Sequence, residues 1–170
     1  MLEALLISLH DHGVKVFAHP HAMTRMGTKD SLVKIRDLEL GKADTFCYRS
    51  REDIWSNFPR TLATGSRVLK QNRGSQGEGI WVVHIKPGQP KAISDGRVAL
   101  DTILCLQEAA DNHTEERTLG DFMDFCKQYV DNGAEGEGEE DQHAKENAAG
   151  AAGLLVDQQF LPRITEGEIR

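Results

Sequence analysis

The residues best suited to chemistry surround a glycine-rich stretch. Lys70 ends the apolar run Val68-Leu69-Lys70, and the chain continues through Gln71-Asn72-Arg73-Gly74-Ser75-Gln76-Gly77-Glu78-Gly79 into a second apolar run, Ile80-Trp81-Val82-Val83-His84-Ile85. Glycines at a tip let a phosphate approach backbone N–H groups with no Cβ in the way, and they accept the positive φ of a tight turn. A lysine on the adjoining strand supplies a cation for phosphate oxygens, and Arg73 supplies a second with a forked donor geometry. The chemistry implied is polyphosphate binding. The plainer alternative is a flexible hairpin with basic residues at its tip.

The surrounding elements narrow the kind of phosphate site. A dinucleotide fold or a Walker loop passes from strand into helix, whereas Ile80 to Ile85 is β-branched and aromatic and predicts a strand. A kinase glycine loop also joins two strands, but its lysine lies on the following strand and it works with HRD and DFG sequences, which are absent here. Other groupings carry less. His10, His12, His19 and His21 cluster in sequence, yet no cysteine or third ligand type completes a zinc spacing. Cys47, Cys105 and Cys126 lie in apolar segments without a CxxC pair, which predicts reduced, buried thiols in a cytoplasmic protein.

Periodicity supplies the elements that must position these groups. Leu2, Leu5, Leu6 and Leu9 predict a helix over Leu2 to Asp11 ended by Gly13, and Val14 to Ala18 predicts a strand stopped by Pro20. Thr28 is placed to cap a helix through Leu32, Val33 and Ile35 that ends before Gly41. Ser50 with Asp53 opens a third helix, Glu52 to Phe58, ended by Pro59. After the glycine hairpin, strands are expected at Lys91 to Ser94 and Val98 to Leu106. Thr118 and Asp121 then open a helix whose Leu119, Phe122, Met123, Cys126 and Tyr129 recur at helical spacing to about Val130. Leu154 to Leu161 predicts a last strand before Pro162. The expected fold class is α+β, with an antiparallel sheet, the glycine-rich hairpin and flanking helices. The expected divisions are a helix-rich part over 1–66, a hairpin and sheet part over 67–131, an acidic insertion over 132–153 and a closing strand segment over 154–170.

Three segments in this order resemble the ATP-grasp superfamily, in particular its glutathione-synthetase-like branch. Met26-Gly27-Thr28-Lys29-Asp30 resembles the first phosphate-binding lysine at a helix start. Arg67 through Gly79 resembles the second lysine and its flexible loop, and Leu155-Val156-Asp157-Gln158-Gln159-Phe160-Leu161-Pro162 resembles the adenine-binding hinge. The chain is also similar to an uncharacterised family of ATP-grasp-like proteins. The resemblance implies an ATP site in which Lys29 and Lys70 hold the α and β phosphates, with Arg73 beside them, and Gly74, Ser75, Gly77 and Gly79 close over the triphosphate. Gln159, Phe160 and Leu161 would meet adenine, with Phe160 and Ile80 or Val82 sandwiching the ring, Glu166 or Glu168 would meet the ribose, and Arg170 would stand near the reacting phosphate. The implied reaction phosphorylates a small-molecule carboxylate to an acyl phosphate for attack by an amine or thiol, with Mg²⁺ stabilising the transferring group. The Mg²⁺ ligands of that pattern lie beyond Arg170, so no metal ligand is assigned here. The expectation is therefore the ATP-holding portion of a larger fold, completed by a second lobe or by oligomerisation. A second reading keeps the fold as a non-catalytic remnant or protein-interaction module without nucleotide binding.

Composition bounds the partners. The 170 residues carry 39% hydrophobic and 28% charged side chains, with 20 Lys and Arg against 27 Asp and Glu for a net charge of -7. That balance argues against a nucleic-acid or anionic-membrane surface. Most of the acidity is local, because the segment 132–153 holds Glu135, Glu137, Glu139, Glu140, Asp141 and Glu146 against Lys145 alone and accounts for -5 of the total. Such a segment cannot bury enough apolar area to offset ordering, so a flexible insertion is expected, and it lacks the alternating Asp/Asn pattern of a calcium loop. No apolar run is long enough to span a bilayer, and the first residues lack the basic start and cleavage site of a secretory leader.

Overall fold

Ser50 fixes the start of the central helix: its hydroxyl accepts the Asp53 N–H at 3.2 Å, the capping bond that its sequence spacing predicts. A computed structural model describes residues 2–26, 28–74, 76–89, 93–131 and 153–166. In chain order these form helices α1 (Leu2–Asp11), α2 (Pro20–Met26) and α3 (Ser31–Lys34), strand β1 (Thr45–Tyr48), helix α4 (Arg51–Ala63) and strands β2 (Arg67–Gln71) and β3 (Ile80–Ile85). There follow β4 (Ile93–Ser94), β5 (Arg97–Val98), β6 (Ile103–Glu108), β7 (Thr114–Thr118), helices α5 (Leu119–Cys126) and α6 (Gln128–Asp131), β8 (Leu155–Gln159) and a 3-10 turn, Pro162–Glu166. The fold is α+β. Six strands form one antiparallel sheet in the order β1-β8-β2-β3-β6-β7, and β4 and β5 pair separately. Among the described residues no helix is long and apolar enough to cross a membrane.

Strand alternation gives the sheet two different faces. Leu69, Trp81, Val83, Leu104 and Leu106 point to one side, where they are buried with Ile54, Phe58 and Leu62 of α4 and Leu119, Phe122 and Met123 of α5. Each such side chain contributes about 1.5–3 kcal/mol by leaving water. The register Val68↔Gln158, Val68↔Val82 and Lys70↔Ile80 turns Val68, Lys70, Ile80, Val82 and Gln158 to the opposite face. That face lies under the segment containing α3.

Several sequence expectations need correction. Residues 14–18 form no strand: the edges of the six-stranded sheet are taken by β1 and β7, and α1 buries none of its residues, so the apolar run has no ladder to join. Pro20 does not end an element but begins α2, where its fixed φ suits the first helical turn. The helix expected from Thr28 shrinks to α3, preceded by Asp30, whose carboxylate accepts the Thr28 hydroxyl in place of a backbone cap. Pro59 lies inside α4 rather than after it. Proline removes the N–H that would bond the Trp55 carbonyl, and Arg97 supplies the replacement, its Nη2 donating to the Trp55 oxygen at 2.7 Å. The strand expected over Val98 to Leu106 is split into β5 and β6, and the last helix is split at Lys127 into α5 and α6. β1 and β7 were not anticipated, because β1 is only four residues long and β7 is the polar edge sequence TEERT. The acidic segment 132–152 lies outside the described residues, as do Lys91 and Ala92.

One buried polar cluster ties the sheet together. Arg67 on β2 and Asp157 on β8 are both fully buried, with Nε donating to Oδ1 at 2.7 Å. Arg67 Nη1 and Nη2 donate to the two Asp44 oxygens at 2.8 and 3.0 Å, and Tyr48 of β1 and Thr61 of α4 both donate to Asp157 Oδ2. Burial disfavours the Arg67 charge, but the bonds from Asp44 and Asp157 outweigh it and raise its pKa. Removing one partner of such a pair leaves an uncompensated buried charge. Asp157→Ala is expected to destabilise the fold by about 3–5 kcal/mol, whereas Asp44→Ala, whose carboxylate is partly solvated but accepts from both Nη groups of Arg67, should cost less, about 1–2 kcal/mol. Urea unfolding of both variants checks this, and similar losses for the two would refute the central place given to Asp157.

Candidate functional site

Two adjoining cavities on the α3 side of the sheet collect most of the residues singled out by sequence. The first, about 550 Å³, is lined by Met26, Thr28, Lys29, Ser31, Leu32, Asn72, Arg73 and Gly74. It forms because the segment before α3 is tied to the end of β2: the Lys29 N–H donates to the Asn72 carbonyl at 3.2 Å and the Asp30 N–H to Asn72 Oδ1 at 2.9 Å. Lys29 is thus carried across 45 residues of sequence to donate through Nζ to the Gly74 carbonyl at 3.1 Å. Arg73 is exposed beside it.

The second cavity, about 530 Å³, is largely apolar. Val68, Ile80 and Val82 form its floor on the sheet, Leu32, Ile35 and Leu40 close one side, and Gln159, Phe160, Leu161 and Ile164 close the other. Lys70, Lys42 and Gln158 are the polar side chains that enter it besides Gln159. Lys70 Nζ donates to Gln158 Oε1 at 2.8 Å, a contact set by the β2–β8 register. Burial holds the Lys70 ammonium below its ordinary pKa, and the nearby positive charge of Lys29 lowers it further. Burial also lowers Lys29. Among the described residues neither lysine makes an ion pair: Lys70 meets the Gln158 amide and Lys29 the Gly74 carbonyl.

Phe160 is held from behind. Its N–H donates to the Ser66 carbonyl at 2.9 Å, its ring meets His84 edge-on with centroids 5.3 Å apart, and His84 Nδ1 lies 2.7 Å from Ser66 Oγ. Burial lowers the His84 pKa and favours the neutral ring. The N–H of Phe160 is thus engaged within the fold, so of the backbone groups that the resemblance assigns to adenine at Gln159 to Leu161, this donor is already taken.

The glycines divide in role. Gly74 faces the cation-lined cavity, whereas Gly77 and Gly79 serve the turn itself. Gly77 has φ 90° and lies so close to the β6–β7 turn that a Cβ would stand 2.8 Å from the Ala109 backbone. Gly79, at φ 62°, is covered by Gln71, and its N–H donates to Glu108 Oε1 at 3.1 Å. Glu166 is exposed, accepts from Arg163 Nε at 2.9 Å, and does not line either cavity. Ser75, Glu168 and Arg170 lie outside the described residues.

No family model matches the chain, and neither the curated proteins nor the solved structures searched provide a match. The arrangement must therefore be judged on its own geometry. Sequence reasoning brought Lys29, Lys70, Arg73, Gly74, Ile80, Val82 and Phe160 to one place, and the structure adds Leu32, Ile35, Leu40, Lys42 and Gln158. Gln158 had a legible signal, since strand alternation puts it on the face of Lys70 once the two strands are paired. Leu40 and Lys42 had none, because they lie in irregular chain. The packing at Gly77 predicts that Gly77→Ala destabilises the hairpin by on the order of 1 kcal/mol or more. Urea unfolding measures this, and a neutral or stabilising substitution would show that the tip does not rest on Ala109.

Proposed function

We propose that this chain binds ATP in the manner of an ATP-grasp lobe, with adenine in the apolar cavity and phosphates beside Lys29, Lys70 and Arg73. The observation that carries the reading is the adjacency of the two cavities around one strand: Lys70 projects from β2 into an apolar cavity of purine-accommodating size, and Lys29 and Arg73 border the next one. Aliphatic side chains from the sheet and from the α3 segment suit a flat heteroaromatic ring, and under-neutralised lysines suit a polyanion. Phe160, braced by His84, would hold the ring's edge, and Gln158 would orient the Lys70 ammonium.

In this reading the chain descends from ligases that activate a carboxylate as an acyl phosphate. Among the described residues no group of three or more acidic, histidine or cysteine side chains is placed to hold a metal ion. The chain's own contribution is binding: cations that neutralise phosphate charge and a largely apolar cavity that holds the base. The second reading, an interaction module without nucleotide affinity, is favoured by the exposed apolar rim of the cavity, where Leu40 is 93% exposed and Ile164 62%.

A direct titration separates the two. Saturating ATP at a hundredfold excess over its Kd should stabilise the protein by about 2.7 kcal/mol, and Lys70→Gln should weaken binding by roughly tenfold or more through loss of a charge-assisted bond. No thermal shift and no heat of binding would leave the interaction module as the better reading. The lowered pKa of Lys70 adds a pH signature with a definite sign. Binding of a polyanion favours the protonated amine, so affinity is fully present below the lowered pKa of the free protein and declines as pH rises through it toward the higher pKa of the complex. Within that window proton uptake should accompany binding, seen as heats that depend on buffer ionisation enthalpy, and Lys70→Gln should reduce the uptake.

A further inference from the structure

A third cavity, about 760 Å³, opens along the outer edge of β1 and is lined by Arg36, Arg49 and Arg60 together with Phe46, Val33 and Asp44. The three arginines come from the chain just after α3, the residue after β1 and the last turn of α4, three separate parts of the sequence. Asp44 is the one carboxylate in the lining, and both its oxygens are taken by the buried guanidinium of Arg67 at 2.8 and 3.0 Å. Arg60 and Arg49 make no side-chain ion pair among the described residues, and Arg36 has a long contact of 3.6 Å to the well-exposed Asp37. The other polar groups are already engaged: Thr61 donates to Asp157, Thr64 to the Thr61 carbonyl and Asn57 to the Asp53 carbonyl. Asp53 accepts the Arg49 N–H and Asp30 feels the Arg49 charge, but neither lines the cavity, so its wall presents three guanidinium groups next to an apolar surface that includes Phe46.

The same edge is poorly made for adding a strand. The Thr45 N–H donates to the Ala43 carbonyl, the Thr45 carbonyl accepts from Arg36, and the Arg49 N–H donates to Asp53. Strand alternation then leaves Cys47 as the residue of β1 with outward backbone groups to offer, which is too little for a β-ladder. A small ligand fits these constraints better than a peptide strand. Guanidinium forks pair with carboxylates in two parallel bonds, and arginines on three separate elements call for a ligand whose charges are themselves separated on a carbon frame.

We infer that this cavity is a binding site for a small organic polycarboxylate, distinct from the Lys29 and Lys70 cavities. It does not depend on the nucleotide reading, although Gln159 borders both this cavity and the apolar one. Citrate is a suitable probe, followed by calorimetry and thermal unfolding, with sodium chloride and inorganic phosphate at matched ionic strength as controls. Citrate should bind and raise Tm beyond both controls. The exposed positions permit Arg49→Gln and Arg60→Gln with the fold checked by circular dichroism, and each should weaken citrate by roughly tenfold or more, while Lys70→Gln leaves it unchanged. Equal effects of citrate and phosphate, retention of citrate binding in the arginine variants, or its loss in Lys70→Gln would each overturn the assignment. If either arginine variant unfolds, saturation-dependent amide shifts in the unmodified protein decide the matter: movement at Cys47, Arg49 and Arg60 supports the site, and movement confined to Lys29 and Lys70 refutes it.

Discussion

The buried pair between Arg67 and Asp157 is the constraint on which the other positions depend. A full charge in an apolar interior persists only with its donors and acceptors matched, and here the matching groups come from β1, β2, β8, α4 and the Asp44 segment. Shifting β8 by one residue would turn Asp157 to the α3 face and leave the Arg67 Nε–H in the core without its acceptor, with Asp44 alone to pair the guanidinium. The pair therefore fixes the register of a strand that returns from far along the chain. That register is what sets Gln158 beside Lys70 and brings Phe160 to Ser66. Site geometry on one face is maintained by electrostatics buried on the other.

A similar exchange operates at the α3 segment. It is too short to be a stable helix by itself, and its position comes from the two bonds to Asn72 rather than from its own propensity. The tether places Lys29 near Lys70 even though the two cations repel, and the Lys70 pKa is lowered first by burial and further by Lys29. Such an arrangement costs stability when no anion is present and favours whatever anion relieves it. The backbone bonds at Asn72 offset that repulsion, which explains why the contact is made through main chain and a buried amide instead of through the charged heads.

Local signals made much of this legible in advance. The Ser50 and Thr118 caps, the helical spacing at Leu119, Phe122 and Met123, and the hairpin from Lys70 to Ile80 all rest on interactions within a few residues, and each appears at its expected place. What escaped depended on distant partners. Pro59 ends a helix by local rules, and only Arg97, folded back onto the Trp55 carbonyl, lets α4 continue. The polar strand β7 exists because β6 offers it a ladder, and Val14 to Ala18, with better strand residues, finds none. The site followed the same division: Lys70 and the glycines belong to one hairpin, whereas the arginine-lined cavity draws Arg36, Arg49 and Arg60 from three elements whose proximity no spacing encodes.

The two faces of the α3 segment then take on a common logic. Leu32 and Ile35 turn to the apolar cavity, while Val33 and Arg36 turn to the cavity at the edge of β1. The main chain of the segment is held at Asn72, and the segment forms a wall shared by the two cavities. A substitution that displaced Leu32 or Ile35 from the sheet would therefore also disturb the side carrying Val33 and Arg36. Gln159, which borders both cavities, lies on the strand whose register the buried ion pair enforces, so the opposite wall is set by the same electrostatics.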